Sequence, residues 1–127
     1  MTDEDKYNIN VTVSVKYIKE QSKPEDNQYV FAYTINIINV GQEAVKLLSR
    51  HWIITDADGK VQEVRGPGVV GQHPHLKPGE NFSYTSGSVI ETPIGSMQGS
   101  YQMEADDGTL FDAEIEPFSL SQPNILH

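Results

Sequence analysis

The residues with the most informative spacing for chemistry are the three glycines of the run Gly66 to Gly71, which reads GxGxxG. In dinucleotide-binding proteins this string works because a strand enters the loop and a helix leaves it, so that helix N–H groups bind the pyrophosphate. Here Pro74 and Pro78 stand where that helix would run, and proline breaks a helix interior. The sequence therefore excludes a dinucleotide fingerprint but leaves a glycine-rich loop.

Such a loop can still bind an anion without a helix. Glycines adopt backbone conformations with φ > 0, and successive N–H groups can form a concave anion nest. The only two arginines of the chain come from the strands that flank the loop, and guanidinium groups bind phosphate or carboxylate well. The candidate anion site consists of Arg50, Arg65, Gly66, Gly68 and Gly71.

A hairpin turn at Asp58-Gly59 predicts that Arg65 lies opposite Trp52 or Ile53, which places the two arginines on the order of 10 Å apart. A structural explanation competes with the anion site. The glycines would let the chain cross between sheets, while the arginines pair with carboxylates such as Glu63. The residues alone favour this structural role.

Other patterns that could do chemistry are weaker. His73 and His75 could join a carboxylate around a divalent metal, but Pro74 disturbs the extended backbone that would align them, and no third ligand follows in sequence. No cysteine is present, and Ser96 is one residue out of place for a G-x-S-x-G nucleophile elbow. We therefore predict that the chain is not an enzyme and holds neither a metal nor a cofactor.

Composition restricts the partners. The 127 residues include 18 acidic and 9 basic side chains, which gives a formal charge of −9. This excess repels a phosphate backbone, so nucleic acid is a poor partner. The acidic N-terminus lacks the apolar run of a signal peptide, and no stretch approaches the roughly 18 apolar residues of a membrane helix. We expect a cytoplasmic protein that does not bind membranes.

Alternation with a period of two dominates the chain. From Asn8 to Tyr17 every second residue is apolar, and the same pattern recurs from Tyr29 to Ile37. Further strands are predicted at Ala44 to Thr55, Lys60 to Arg65 and Phe82 to Ile90, and two more fill the region from Met97 to about Glu116. About seven strands separated by Gly, Pro and Asp turns predict an all-β antiparallel sandwich. We expect one domain over residues 1–127, with peripheral tails at 1–6 and 120–127.

Several segments, taken together and in this order, resemble the ApaG family. They are Arg50 to Asp56, Val64 to Gly71, Leu76 to Glu80, Tyr84 to Gly87 and Thr92 to Tyr101. The resemblance implies a fibronectin type III-like sandwich from a bacterial cytoplasm, with no established catalytic activity. It also implies a family link to cobalt tolerance and magnesium efflux, and a role in protein binding where the domain occurs in larger eukaryotic proteins.

Two positions depart from the pattern of that family. Position 73 is His where Gln is expected, which argues against a metal role for His73. Position 67 is Pro where a polar or acidic residue is common, which stiffens the loop.

The functional class favoured by the sequence is a protein-interaction module with an unidentified protein partner. Sandwiches bind through edge strands and end loops, and the solvent face of the strand from Phe82 to Ile90 is rich in hydroxyls rather than charges. The alternative is binding of phosphate, pyrophosphate or a nucleotide-like anion at the glycine loop. The sequence leaves the oligomeric state open.

Overall fold

Eight strands form two antiparallel sheets in the computed structural model, which describes residues 6–123. The strands are β1 Ile9–Tyr17, β2 Tyr29–Asn39, β3 Val45–Asp56, β4 Val61–Pro67, β5 His75–Leu76, β6 Asn81–Ile90, β7 Ile94–Ala105 and β8 Leu110–Ser121. Short 3-10 turns at Lys19–Gln21 and Pro24–Asp26 connect β1 to β2. Within residues 6–123, no helix is long and apolar enough to cross a membrane.

The strand order matches a fibronectin type III-like sandwich. One sheet has the order β1-β2-β6, and the other has the order β4-β3-β7-β8, with β5 paired to the start of β3. This confirms the predicted all-β antiparallel fold. The two-residue β5 is the one strand that the alternation did not indicate, because two residues are too short to show a period.

Side chains from both sheets fill one core, as period-two alternation requires. Trp52 of β3 lies at its centre, where its ring meets Tyr33 of β2 at 5.4 Å and Phe118 of β8 at 5.9 Å between centroids. Met97 and Met103 on β7 are both 1% exposed and belong to this core.

The apolar residues of β3 do not alternate regularly along the strand, and the cause is a local bulge. The pairing of β3 with β7 shifts register between Leu47 and Ser49, so the chain gains one residue there relative to its partner. Beyond the bulge, His51 and Ile53 face solvent while Trp52 faces the core. The bulge therefore explains why the apolar residues of β3 change from odd to even positions.

The register of the β3–β4 hairpin differs by one residue from the nearer prediction. His51, rather than Trp52 or Ile53, lies opposite Arg65. The loop holds three residues between Asp56 and Lys60, because an oxygen of the Asp56 side chain accepts the N–H groups of Asp58 and Lys60 at 2.9 Å. A two-residue turn would lack this bonding.

The C-terminal strand extends further than expected. β8 continues to Ser121, and Leu120 is fully buried, although the tail was expected to start at residue 120. Leu120 faces the core because it continues the inward row of β8 after the register shift between Met97 and Gly99 of β7. The rest of the predicted tails, residues 1–5 and 124–127, lies outside the described residues.

The sheets differ in width, so one strand overhangs. β1 packs against β8 at one side of the sandwich, and the second sheet extends one strand further at the other. β4 consequently lies beyond β6. Val64 of β4 shares the inward face with Trp52 of β3, yet it is 39% exposed where Trp52 is 2%.

Candidate functional site

The glycine loop is a tight hairpin that follows β4. Val69 and Gln72 exchange two backbone hydrogen bonds, both 2.8 Å long. The two residues between them have positive φ values, +44° at Val70 and +78° at Gly71. This is the backbone pattern of a type I′ turn. The string GxGxxG therefore forms a hairpin with a two-residue turn, and no helix follows it to bind a pyrophosphate.

Gly68 has the strictest requirement for glycine in this loop. Its φ is +59°, and a Cβ there would lie 2.3 Å from the carbonyl oxygen of Gln72. Its own N–H donates to the carbonyl of Leu48 at 2.9 Å, which continues the β3–β4 ladder by one pair. Any larger residue would push the two sides of the hairpin apart.

Arg50 holds the loop from the inner side of the sheet. Its Nη1 donates to the carbonyls of Pro67 and Gly68, each at 2.9 Å. The guanidinium lies over Gly66, where a Cβ would come within 3.0 Å of it. Arg50 thus satisfies two loop carbonyls that no strand partner reaches.

Arg65 lies on the opposite face of the same sheet. Arg50 pairs with Gly66 in register and shares its face, so the neighbouring Arg65 points the other way. Its side chain is 72% exposed and contacts Glu63 at 3.2 Å. Glu63 also bonds His51 at 2.6 Å, and this hydrogen bond is the main reason that the pKa of Glu63 lies below its usual value.

The N–H groups of the loop are mostly committed within it. Those of Gly68, Val69 and Gln72 each donate to a backbone carbonyl. The turn residues Val70 and Gly71 carry the loop N–H groups that have no backbone acceptor in the described part of the chain. The structure thus brings Arg50 to Gly66 and Gly68, whereas the side chain of Arg65 points to the other face of the sheet, although both arginines border one groove.

Val70 gives the loop its exposed tip. The side chain is 53% exposed, while the preceding Val69 is fully buried in the core. A β-branched residue with φ > 0 is a true outlier, since left-handed backbone costs roughly 1–2 kcal/mol for residues with a Cβ. Asparagine or glycine normally occupies this turn position. In the sequence, two consecutive valines inside a glycine loop indicate that one of them is exposed at the tip.

A polar groove lies on the outer face of the larger sheet. It has a volume of about 360 Å³ and is lined by Arg65, His51 and Asp112, by Arg50 and Gly66, and by a hydrogen-bonded chain of side chains. In that chain Ser49 donates to Gln102 at 2.8 Å, and Gln102 donates to Ser100 at 2.9 Å. The sequence did not single out this row, because serine and glutamine on a solvent face are common.

Two buried tyrosines form a polar pair inside the core. The hydroxyls of Tyr84 and Tyr101 are 2.5 Å apart. Burial raises the pKa of Tyr84 to about 12. It raises the pKa of Tyr101 further, with a contribution from Tyr84. Both hydroxyls are therefore protonated at neutral pH, and one donates a hydrogen bond to the other.

The two histidines considered for a metal have separate partners. His73 contacts the carbonyl of Leu47 through Nδ1 at 3.2 Å, and His75 contacts Asp106 through Nε2 at 2.8 Å. Over residues 6–123, no three His, Asp or Glu side chains are grouped so as to hold a metal ion.

Comparison with known proteins gives matches along the whole chain. The family model described as the ApaG domain matches residues 19–105. The chain is 58% identical to Protein ApaG of Thiobacillus denitrificans and 56% identical to that of Aromatoleum aromaticum, over 127 residues and 100% of each chain. A crystal structure of the putative ApaA protein from Bordetella pertussis superposes with a TM-score of 0.92 at 50% identity, covering 94% of this chain and 98% of that one. The chain belongs to the ApaG family.

Proposed function

We propose that this chain is a non-catalytic module of the cytoplasm that binds a partner protein through the tip of its glycine loop. The observation that carries the proposal is Val70, an exposed apolar side chain held at φ +44°. Strain of this kind persists in a protein when the surroundings over-determine it, and it concentrates at functional sites.

The loop is also built to present that tip rigidly. Val69 anchors one side in the core, the reciprocal bonds between Val69 and Gln72 close the turn, and Arg50 ties the carbonyls of Pro67 and Gly68. A rigid apolar projection loses little conformational entropy when it enters a pocket on a partner. Loops positioned by a rigid scaffold are frequent binding elements.

The test uses two exposed valines that differ in backbone conformation. Val70 and Val40 are 53% and 51% exposed, but only Val70 has a positive φ. Tagged wild type, Val70→Asn and Val40→Asn are each used to enrich proteins from a lysate of the source cells, with quantification by mass spectrometry. We expect a protein captured by wild type and Val40→Asn to be lost with Val70→Asn. Equal capture by all three would refute the role of the tip.

Anion binding at the same loop is the second candidate. The specific observation in its favour is that the N–H groups of Val70 and Gly71 have no backbone acceptor and lie side by side at the turn, as in an anion nest. Arg50 would add positive charge from the inner face of the sheet through Nη2, because its Nη1 already donates to loop carbonyls. The exposed Arg65 would have to act from the other face.

Titration with phosphate and pyrophosphate distinguishes this candidate from a protein contact. If the loop binds an anion, the amide resonances of Gly66 to Gly71 shift in a saturable way, and Arg50→Gln weakens the response. Unchanged resonances in this range would end the anion proposal while leaving the protein contact intact.

The family link to cobalt tolerance and magnesium efflux enters this proposal through the partner protein. His73 and His75 contact different groups, a backbone carbonyl and Asp106. Calorimetry with cobalt on wild type and on His73→Gln tests a direct role, because heat released by wild type and lost with His73→Gln would require a metal site on this chain.

A further inference from the structure

The free edge of β6 is unusual among the four sheet edges of this molecule. β6 runs for ten residues, Asn81–Ile90, without a charged residue, a proline or a bulge. β4 carries Glu63, Arg65 and Pro67, and β8 carries three carboxylates, Pro117 and a register shift. Edge strands in soluble proteins normally carry such features because they block pairing with other chains.

The remaining edge, β1, is protected in another way. It carries Lys16, and the segment before it is fixed against the β7–β8 turn. Tyr7 donates to Asp107 at 2.5 Å, and Lys6 lies 3.2 Å from the same carboxylate. β1 also packs along β8. β6 is the edge left open and uncharged within residues 6–123.

The register shows which backbone groups this edge presents. Asn39 of β2 donates to Glu80, so the even-numbered residues of β6 bond β2 in the antiparallel ladder. The odd-numbered residues therefore direct their N–H and C=O groups away from the sheet. They are Asn81, Ser83, Thr85, Gly87 and Val89. An incoming strand would find five donors and five acceptors at the spacing of a β-ladder.

We propose that the edge of β6 binds an extended segment of a partner protein by strand addition. Main-chain hydrogen bonds supply most of the affinity in this mode of recognition, and alternate side chains supply the specificity. The site is separate from the tip of the glycine loop, and it stands or falls independently of Val70.

The overhang of β4 favours a single extended segment over a second copy of this chain. A strand added beside β6 lies above β4, where Val64 is 39% exposed on the inward face. An apolar side chain at alternate positions of the segment would cover Val64. A second copy paired antiparallel through β6 would bring its own second sheet toward the space that β4 already occupies, which disfavours pairing of two β6 strands.

The charge of the surface beside β6 indicates which residues should flank the apolar centre of the bound segment. Glu80 and Glu91 bracket β6 at its two ends; Glu91 also pairs with Lys60 and Glu80 accepts the N–H of Lys77, but the chain as a whole carries a net charge of −9. A segment with an uncharged, alternately apolar centre and basic flanking residues complements this surface. Acidic flanks would be repelled, and the preference weakens with salt because the carboxylates are exposed.

The protein variants for the test are Thr85→Pro and its control Thr85→Val. Proline at position 85 removes an N–H that points to the free edge, while the ladder to β2 keeps its bonds. Valine removes the same hydroxyl, and with it the 2.8 Å hydrogen bond to Thr34, but keeps the N–H. The two variants separate the main-chain donor from the side chain.

The probes are synthetic ten-residue peptides with alternating Thr and an apolar residue (Val, Ile, Leu or Phe) and two lysines at each end. A second set is N-methylated at alternate residues, which removes peptide donors and leaves the wild-type protein untouched. Amide hydrogen exchange and resonance shifts report binding. We expect the odd-numbered amides of β6 to exchange quickly in the free protein and to become protected with the unmethylated peptides only.

Thr85→Pro should weaken peptide binding about tenfold, the loss of roughly one net hydrogen bond, whereas Thr85→Val should bind within about twofold of wild type. Replacing the peptide lysines with glutamates should weaken binding at low salt. The proposal is overturned if no peptide protects the odd-numbered amides, or if methylated and unmethylated peptides bind equally. Protection of those amides in the protein alone, with the mass of a dimer, would also overturn it.

Discussion

A single valine shows where this sequence departs from what stability alone would select. Val70 occupies a left-handed position in a type I′ turn with half of its side chain in water. Within residues 6–123, neither burial nor a hydrogen bond stabilises a β-branched residue at this position. Recognition by a partner is a physical reason to keep it.

Replacing Val70 with Asn should therefore stabilise the protein. Asparagine tolerates positive φ, so about 1 kcal/mol of backbone strain is relieved. Val40→Asn, at a similar exposure without positive φ, should change stability by no more than about 0.5 kcal/mol. Denaturant unfolding of the three proteins measures both effects, and a Val70→Asn variant less stable than wild type would contradict the strain.

The buried tyrosine pair should behave as one unit. Tyr84→Phe leaves the hydroxyl of Tyr101 buried without its partner, which costs about 1–3 kcal/mol, and Tyr101→Phe has the converse effect. The double variant removes both hydroxyls and should be less destabilised than the sum of the two singles. Additive free energies of unfolding in this double-mutant cycle would exclude a direct interaction.

The same pair predicts a loss of stability in alkali. The pKa of Tyr84 is raised to about 12 in the folded protein, against about 10 when unfolded. Its contribution is fully present below pH 10 and declines as the pH rises toward 12, because only the unfolded state ionises readily. In the double variant Tyr84→Phe, Tyr101→Phe, the free energy of unfolding should depend less on pH over this range.

At the scale of the strands, the sequence predicted type and order well. Period-two alternation located β1, β2, β6 and β7, because a half-buried sheet leaves one face in water. It could not locate the bulge between Leu47 and Ser49, which reverses parity within an apolar run. It also missed the register of the β3–β4 hairpin, since that depends on the bonds that the Asp56 side chain makes inside the loop.

The candidate site was predictable only in part for the same reason. Residue types placed glycines and two arginines near one another along the chain, and the structure does bring Arg50 to the loop. Which face each arginine takes depends on a register shift of a single residue. The bulge between Leu47 and Ser49 turns Arg50 inward, and the pairing of Arg50 with Gly66 then leaves the neighbouring Arg65 outward.

The contact between Tyr7 and the β7–β8 turn predicts how the stability of the protein changes in acid. The pKa of Asp107, in the β7–β8 turn, lies below its usual value, first because the hydroxyl of Tyr7 donates to it. Its contribution is present above the unfolded pKa, near pH 4, and is lost as the pH falls toward the lower folded pKa. Tyr7→Phe should raise the pKa of Asp107, as followed by its side-chain carbon resonance. An unchanged titration would contradict the contact.

At the scale of the whole molecule, the two surfaces that we propose for binding proteins differ in kind. The tip of the glycine loop is a rigid apolar projection, whereas the edge of β6 offers main-chain groups. A sandwich with a single core keeps both in fixed positions.

The most direct test of the central claim places a photoreactive amino acid at position 70 in the full chain inside the source cells, with position 40 as the matched site. Irradiation at position 70 should give one discrete cross-linked protein that position 40 does not give, and untagged cells should lack it. Cross-linking that is absent at position 70, or identical at the two positions, would contradict a binding role for the tip of the glycine loop.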